Sequence, residues 1–346
     1  MGKETLYNKK SKLELIKILK EENFNRKTIS FYKYISLNNL DQLRDKIYKS
    51  WDSLNILGRV YIAKEGINAQ ISIPENNLLK FKKHLKSDFN FEDLTLKVAV
   101  EEGTSFYKLV VKIKNEIVAY NISKKEYNMN IVGKHLDYKE FNKCIDDGAV
   151  ILDMRNYYEG EIGKFENAII PDVERSQELL PEVKKILKNY KNDKILLYCT
   201  GGIRCEKASS YLIHHGFSDV NQLNGGIIQY ANDIKKNNEQ SKFIGKNFVF
   251  DNRMSESVTD DVIGECHICS KPSDLHTNCA NEHCHILLIQ CNKCKKDLQN
   301  CCSKHCADFV LLPRIKRREL FKNGKIQFNA QRSDKIKPRL KDINQI

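Results

Sequence analysis

The sequence predicts an α/β protein built from an α+β sandwich, a parallel-sheet domain and a small cysteine-rich module. Three observations carry this. Residues 28–122 set short β-rich runs among amphipathic helical stretches in the order β-α-β-β-α-β, which is that of a ferredoxin-like α+β domain. Residues 138–240 alternate apolar strands with helices, as in a parallel sheet covered on both faces. Nine of the twelve cysteines crowd into residues 266–306. A chain of 346 residues leaves room for two or three domains of roughly 150 residues. The remaining segments are an N-terminal extension (1–27), a Lys-, Asn- and Tyr-rich linker (123–137), the cysteine module (241–312) and a basic tail (313–346).

In the first unit, 28–35 is β-rich, and 39–51 has helical spacing with Leu40, Leu43, Ile47 and Trp51 on one face. Short strands at 60–63 and 69–73 flank Lys64-Glu65-Gly66-Ile67-Asn68, where Gly66 and Asn68 suit a turn. A helix at 76–85 and strands at 94–100 and 108–114 follow. In the second unit, helices at 138–145, 179–189, 206–214 and 227–235 alternate with strands at 149–153, 194–198 and 220–223. Gly225-Gly226 reads as a strand-to-helix turn.

The formal charge is +13. Residues 313–341 hold eleven Lys and Arg against Glu319 and Asp334, with few apolar residues, so this tail is expected to be mostly disordered. Such a tail either attracts a polyanion, with nucleic acid the first choice, or merely keeps the chain in solution. No apolar run approaches the roughly 18 residues of a membrane span, and the Lys/Glu-rich N-terminus is no signal peptide. A cytoplasmic protein is expected, with no membrane and no obligate protein partner.

The chemistry concentrates in Cys199-Thr200-Gly201-Gly202-Ile203-Arg204-Cys205, which joins a buried strand to a helix. Gly201 and Gly202 let backbone N–H groups turn inward as an anion cradle. Those amides, the positive helix end and Arg204 favour thiolate at Cys199 and make it the nucleophile candidate. Ligands of parallel sheets gather at the carboxyl ends of strands, where Cys199 falls. Cys205 is either a small buried core residue or a resolving thiol. Arg155 either supports the loop or a phosphate, or pairs with Asp153 or Glu159.

At these residues a resemblance becomes specific. The stretch Asp153-Met154-Arg155-Asn156-Tyr157-Tyr158-Glu159, then Gly163-Lys164-Phe165-Glu166-Asn167-Ala168 and the cysteine loop resemble a rhodanese domain. That likeness implies a persulfide-bearing position at Cys199; Lys164 departs from the histidine of many rhodaneses. The string CTGGIRCEKAS, with GRVYIAKEGINAQIS (58–72) and FIGKNFVFDNRM (243–254), is similar to the bacterial tRNA uridine hydroxylases from about Thr28 to Cys306. This second resemblance implies oxygen-dependent conversion of the wobble uridine to 5-hydroxyuridine, with tRNA (its anticodon loop) as partner and molecular oxygen and an unidentified electron donor as co-reactants. Two rival readings stay open: plain sulfur transfer through Cys199, and a non-catalytic RNA-binding zinc scaffold.

Cys266, Cys269, Cys279, Cys284, Cys291, Cys294, Cys301, Cys302 and Cys306 supply ligands for two tetrahedral zinc sites. Cys266, Cys269, Cys291 and Cys294 form one set; the other draws on Cys279, Cys284, Cys301 or Cys302, and Cys306. Cross-braced pairing is equally allowed, and so are redox thiols without metal. Among the cysteines stand His267, His276, His283, His285 and His305, open to ligation or to a surface role. No GxxxxGK[ST] loop, no GxGxxG helix opening and no 2-His-1-carboxylate pattern is visible, so neither a nucleotide nor a flavin motif is expected.

Overall fold

A computed structural model describes residues 6–89, 91, 94–173 and 175–324. Helix α1 (Lys12–Lys20) precedes the first domain, which runs β1 (Arg26–Tyr34), α2 (Leu40–Asp52), β2 (Leu57–Ala63), β3 (Gly66–Pro74), α3 (Leu78–Phe89), β4 (Lys97–Val98) and β5 (Leu109–Ile113). The sheet order is β4-β1-β3-β2-β5. Its first four strands make the ferredoxin-like arrangement, and β5 adds in parallel beside β2. The β2–β3 turn is shorter than the sequence suggests: pairing continues to Ala63 opposite Gly66, leaving only Lys64 and Glu65 as the turn. Gly66 serves the strand instead, because a Cβ there would fall 2.0 Å from the Lys33 carbonyl oxygen.

Alternation along these strands divides the sheet into two faces. Ile29, Phe31, Val60, Ile62, Ala69 and Ile71 pack with Ile47 and Trp51 of α2 and Phe81 of α3. The intervening residues, among them Ser30, Tyr32, Arg59, Tyr61 and Gln70, line a cavity shared with the second domain.

That domain comprises β6 (Lys134–Leu136), α4 (Tyr138–Asp146), β7 (Val150–Asp153), α5 (Tyr157–Gly160), β8 (Gly163–Phe165), α6 (Ser176–Ile186), β9 (Lys194–Tyr198), α7 (Ile203–His214), β10 (Asp219–Leu223) and α8 (Gly226–Asn237). Four parallel strands lie in the order β6-β10-β9-β7. The supposed linker therefore ends in an edge strand. Gly133 lets it in, since its N–H donates to Ser209 Oγ at 2.8 Å and a Cβ would lie 2.7 Å from the Val220 carbonyl oxygen.

The third unit continues with β11 (Phe243–Phe248), β12 (Ser255–Ser257), β13 (His276–Asn278), β14 (Leu287–Ile289), α9 (Asn292–Asp297), α10 (Lys304–Leu311) and α11 (Arg314–Lys322). Strand β11 pairs antiparallel with β8 and so ties this unit to the second domain. Helix α11 replaces the disorder expected from residue 313. Its Arg, Lys, Glu and Leu are strong helix formers, which outweighs the lack of an apolar core there. Residues 325–346, where the rest of that expectation falls, lie outside the described residues. No helix among the described residues is long and apolar enough to cross a membrane.

Two polar clamps fix the first domain to the rest of the chain, one to the second domain and one to the third unit. Lys207 of α7, fully buried, meets Glu65 at 3.0 Å and Glu116 at 2.8 Å. Arg253 binds Asp251 and Glu256, both at 2.5 Å, and donates to the Glu101 carbonyl at 2.6 Å.

Candidate active site

Cys199 follows the last residue of β9, and Gly202, at φ 91°, caps the start of α7. This left-handed residue bends the backbone so that its N–H donates to Cys199 Sγ at 3.1 Å. Burial opposes ionisation of the fully buried thiol. A hydrogen bond from Cys205, the Arg204 charge and the backbone N–H groups of Arg204 and Cys205 outweigh it, bringing Cys199 down to about 6. Cys205 moves the other way: burial first, then the neighbouring Cys199, push its thiol well up. It thus stands as the protonated donor of the pair.

Arg204 is not free to reach outward. Its guanidinium grips the buried Glu159 at 2.6 and 2.9 Å and donates to Thr200 Oγ1 at 3.1 Å. Burial of Glu159 favours its protonation, but Arg204 prevails and holds that carboxyl down. Arg155 takes the structural course. It forms a wholly buried pair with Asp153 at 2.6 Å and donates to the Gly163 carbonyl at 2.6 Å. Tyr198 donates to the same Asp153 carboxylate at 2.8 Å. Asp153 and Arg155 therefore brace the sheet end beneath the loop.

The sequence understated Gly225-Gly226. They follow β10, which lies beside β9, and open α8, so their turn docks on the cysteine loop: Ile227 N–H donates to the Cys199 carbonyl at 3.0 Å and Ile228 N–H to that of Thr200 at 3.1 Å. A Cβ on Gly226 would sit 2.5 Å from the Cys199 carbonyl oxygen and 2.7 Å from Gly202 N, at φ 69°. Gly226→Ala is therefore expected to cost at least about 2 kcal/mol, from left-handed strain plus displacement of the loop. Thermal melting and the alkylation rate of Cys199 should fall together; a melt unchanged from wild type would refute the tight docking.

A cavity of about 450 Å³ opens between the first sheet and this loop. Thr200, Gly201, Ile203 and Arg204 of the loop line it, whereas Cys199 is fully buried and does not. A Cβ at Gly201 would meet only Lys97 Cε, at 3.7 Å, so the loop's thinnest point faces the open space. Lys97, 4% exposed, lies across that wall with its ammonium 4.5 Å from the centre of the Tyr32 ring. Burial lowers its pKa to about 8, against the pull of Cys199 and Glu206. Sequence reasoning missed Lys97, because an isolated lysine in a short strand belongs to no motif.

The nine clustered cysteines separate cleanly. Cys266, Cys269, Cys291 and Cys294 converge in one set, and Cys279, Cys284, Cys302 and Cys306 in another, with all sulfurs of a set within 4.8 Å of each other. Alternate pairs along the chain join the same set, which is the cross-braced pattern. The Cys269–Cys291, Cys284–Cys302 and Cys302–Cys306 sulfurs are each 3.7 Å apart. A tetrahedron with metal–sulfur bonds of about 2.3 Å has an edge of about 3.8 Å, so both sets could hold a metal such as zinc. Cys301 is buried but belongs to neither set, and no histidine joins them among the described residues. His267 is occupied elsewhere, bonded to Glu161 at 3.0 Å and accepting from Ile289 N–H at 3.3 Å.

Three family models match in succession: a UPF0176 acylphosphatase-like domain over residues 26–117, a rhodanese-like domain over 137–233, and a rhodanase C-terminal region over 244–307. The chain is 47% identical to the tRNA uridine(34) hydroxylase of Leptospira interrogans serovar Lai, over 99% of this chain and 94% of that protein. It is 44% identical to the proteins of the same name from Enterobacter sp. strain 638 and Photorhabdus laumondii, in each case over 94% of this chain and 95% of the relative. With a cysteine loop, a docked N-terminal sheet and a cysteine-rich end all within those matched lengths, the chain belongs to the tRNA uridine(34) hydroxylase family.

Proposed function

We propose that this chain hydroxylates uridine 34 of tRNA in the cytoplasm, with the Cys199 thiolate as the group that engages the base. One observation carries the residue assignment: a buried thiol held near pKa 6 is next in the chain to Thr200 and Gly201, which line a cavity of about 450 Å³. That volume lies within the range of small-ligand sites. A single-stranded loop base can be splayed into such a cavity at a modest unstacking cost.

In this reading the thiolate adds to C6 of uracil. The S–C6 bond forms, and the C5=C6 electron pair moves to C5 and O4 as an enolate. C5 then takes one atom of molecular oxygen, while the other leaves as water, which consumes two electrons and two protons from a reductant. Loss of the C5 proton and cleavage of S–C6 restore the ring double bond and the thiolate. Cys205 supports the resting thiolate by its hydrogen bond, and the Gly202, Arg204 and Cys205 amides supply fixed dipoles that need no reorganisation. Asp153 and Arg155 hold the strand ends, and Gly201 leaves the approach open. In each four-sulfur set one zinc ion would act structurally, fixing the chain segments that carry the thiols.

Nucleoside mass spectrometry of tRNA tests this in a deletion strain complemented with wild type or Cys199→Ser. Wild type should restore 5-hydroxyuridine and its derivatives, and Cys199→Ser should leave them at background. Unchanged nucleosides would sink the assignment. Loss of a thionucleoside alone would put sulfur transfer in its place.

A further inference from the structure

The polar face of the first sheet contains a row that the fold does not explain. Strand register sets Ser30 opposite Lys97 on one side and Gln70 on the other, and Gln70 opposite Arg59. The row Lys97–Ser30–Gln70–Arg59 thus crosses four adjacent strands and spans roughly 14 Å at the usual strand spacing. All four residues line the cavity.

None of these four side chains has a hydrogen bond or ion pair among the described residues; Lys97 has only its ring contact with Tyr32. The Ser30 hydroxyl is buried without a partner. The other guanidinium groups of the cavity are committed, Arg204 to Glu159 and Arg253 to Asp251 and Glu256. A buried ammonium with no acceptor is costly unless a ligand supplies one. Lys97 also sits at the reactive end of the row, because Cβ atoms at Gly201 and Gly225 would lie 3.7 and 3.6 Å from its Cε and Cδ.

We propose that this row is the seat of the target nucleotide: Lys97 faces O4 of the uracil, Gln70 reads the imide edge, and Arg59 takes a backbone phosphate. This assignment rests on the uridine chemistry above and adds its recognition. The ammonium offers donors only, so it donates to O4 and disfavours the amino group that cytosine carries at the same place. When a thiolate adds to C6 the electron pair moves onto O4, and the contact with Lys97 strengthens as that charge grows. The Gln70 carboxamide has both a donor and an acceptor for N3–H and its flanking oxygen. Tyr32 shapes the floor, its hydroxyl held by Glu206 at 2.8 Å.

Competition binding to the full chain tests the seat, using anticodon stem-loop RNAs that differ only at position 34. The three bases are uracil, cytosine and barbiturate, the last a stable uracil-like enolate anion that cannot be attacked at C6. Wild type should prefer barbiturate to uracil, and uracil to cytosine, each by about 10-fold, the scale of one charge-assisted hydrogen bond. Lys97→Met should bring all three within about 2-fold while Lys97→Arg keeps the order, since only the charged donor matters. Arg59→Ala should weaken the three equally and reduce the salt slope by about one contact. Thermal melts of Lys97→Met and Lys97→Arg should both stay close to wild type, which separates lost discrimination from unfolding.

A base preference that persists in Lys97→Met, or is absent from wild type, overturns the proposal. So does an alkylation profile of Cys199 that moves to higher pH in Lys97→Met while the binding ratios stay put, because the lysine would then serve the thiol. Cys199→Ser should retain the base preference, so failure of the seat and failure of the hydroxylation chemistry are read separately.

Discussion

Treatment with a zinc chelator is expected to unfold the cysteine-rich end of the chain while both larger domains stay folded. The core of that end is its own sulfurs with Ile286, Leu288 and Ala307, while Leu287 and Ile289 form a small patch with Ile162 and Phe248. A structural zinc contributes about 10–16 kcal/mol in small zinc modules, far more than so few apolar side chains can. Because the two sets interleave along the chain, losing one ion also loosens the segments that hold the other. Strand β11 should survive, since it belongs to the sheet with β8. Limited proteolysis should therefore cut after about residue 264, and elemental analysis of protein purified without added metal should find about two zinc per chain. No zinc, with all nine thiols of the segment titratable, would leave redox thiols as the better account. Cys301→Ser should be mild, and serine at Cys266, Cys294, Cys302 or Cys306 severe.

Breaking the Arg204–Glu159 pair from either side should cost about 3–5 kcal/mol, because each substitution strands a buried charge. The two variants should nevertheless move Cys199 in opposite directions. Wild-type alkylation should be half-maximal near pH 6, where the thiol titrates. Arg204→Met removes a positive neighbour that favours thiolate, so the profile should shift to higher pH. Glu159→Gln leaves that positive charge unopposed, so the profile should shift lower. Combining both substitutions should recover much of the stability, since neither charge is then stranded, while the profile stays high. Urea denaturation and iodoacetamide kinetics check this; shifts of the same sign in both single variants would refute the electrostatic role of Arg204.

The parts legible in the sequence are those whose partners lie close along the chain. The cradle around Cys199 is made by Gly202, Arg204 and Cys205, all within six residues. Each half of a metal set is a local cysteine pair, so the sets could be read even though their interleaving spans 41 residues (266–306). Legibility ends where register or docking decides. Lys97, Ser30, Gln70 and Arg59 come from four strands, and only pairing aligns them. Gly226 reads as an ordinary turn until β10 is set beside β9. The edge strand at 134–136 is polar and short, and the acceptors that make it a strand belong to β10.

Neighbouring residues at the start of α7 divide their allegiance: Arg204 binds within its own domain, Glu206 holds Tyr32 of the other, and Lys207 is enclosed by Glu65 and Glu116 of the other. Pulling the domains apart would break the Lys207 contacts with Glu65 and Glu116 and the Glu206–Tyr32 hydrogen bond, so opening like a jaw works against these links. On the proposed reading the nucleotide would thread into a standing crevice, and the anticodon loop would do the bending. A rhodanese-like domain severed from its neighbour would keep the cysteine cradle but lose the row proposed to read the base. It would be a bare thiol loop, open to any small sulfur donor. On the proposed reading, the N-terminal sheet would act as a chaperone for chemistry, restricting the Cys199 thiol to one ring.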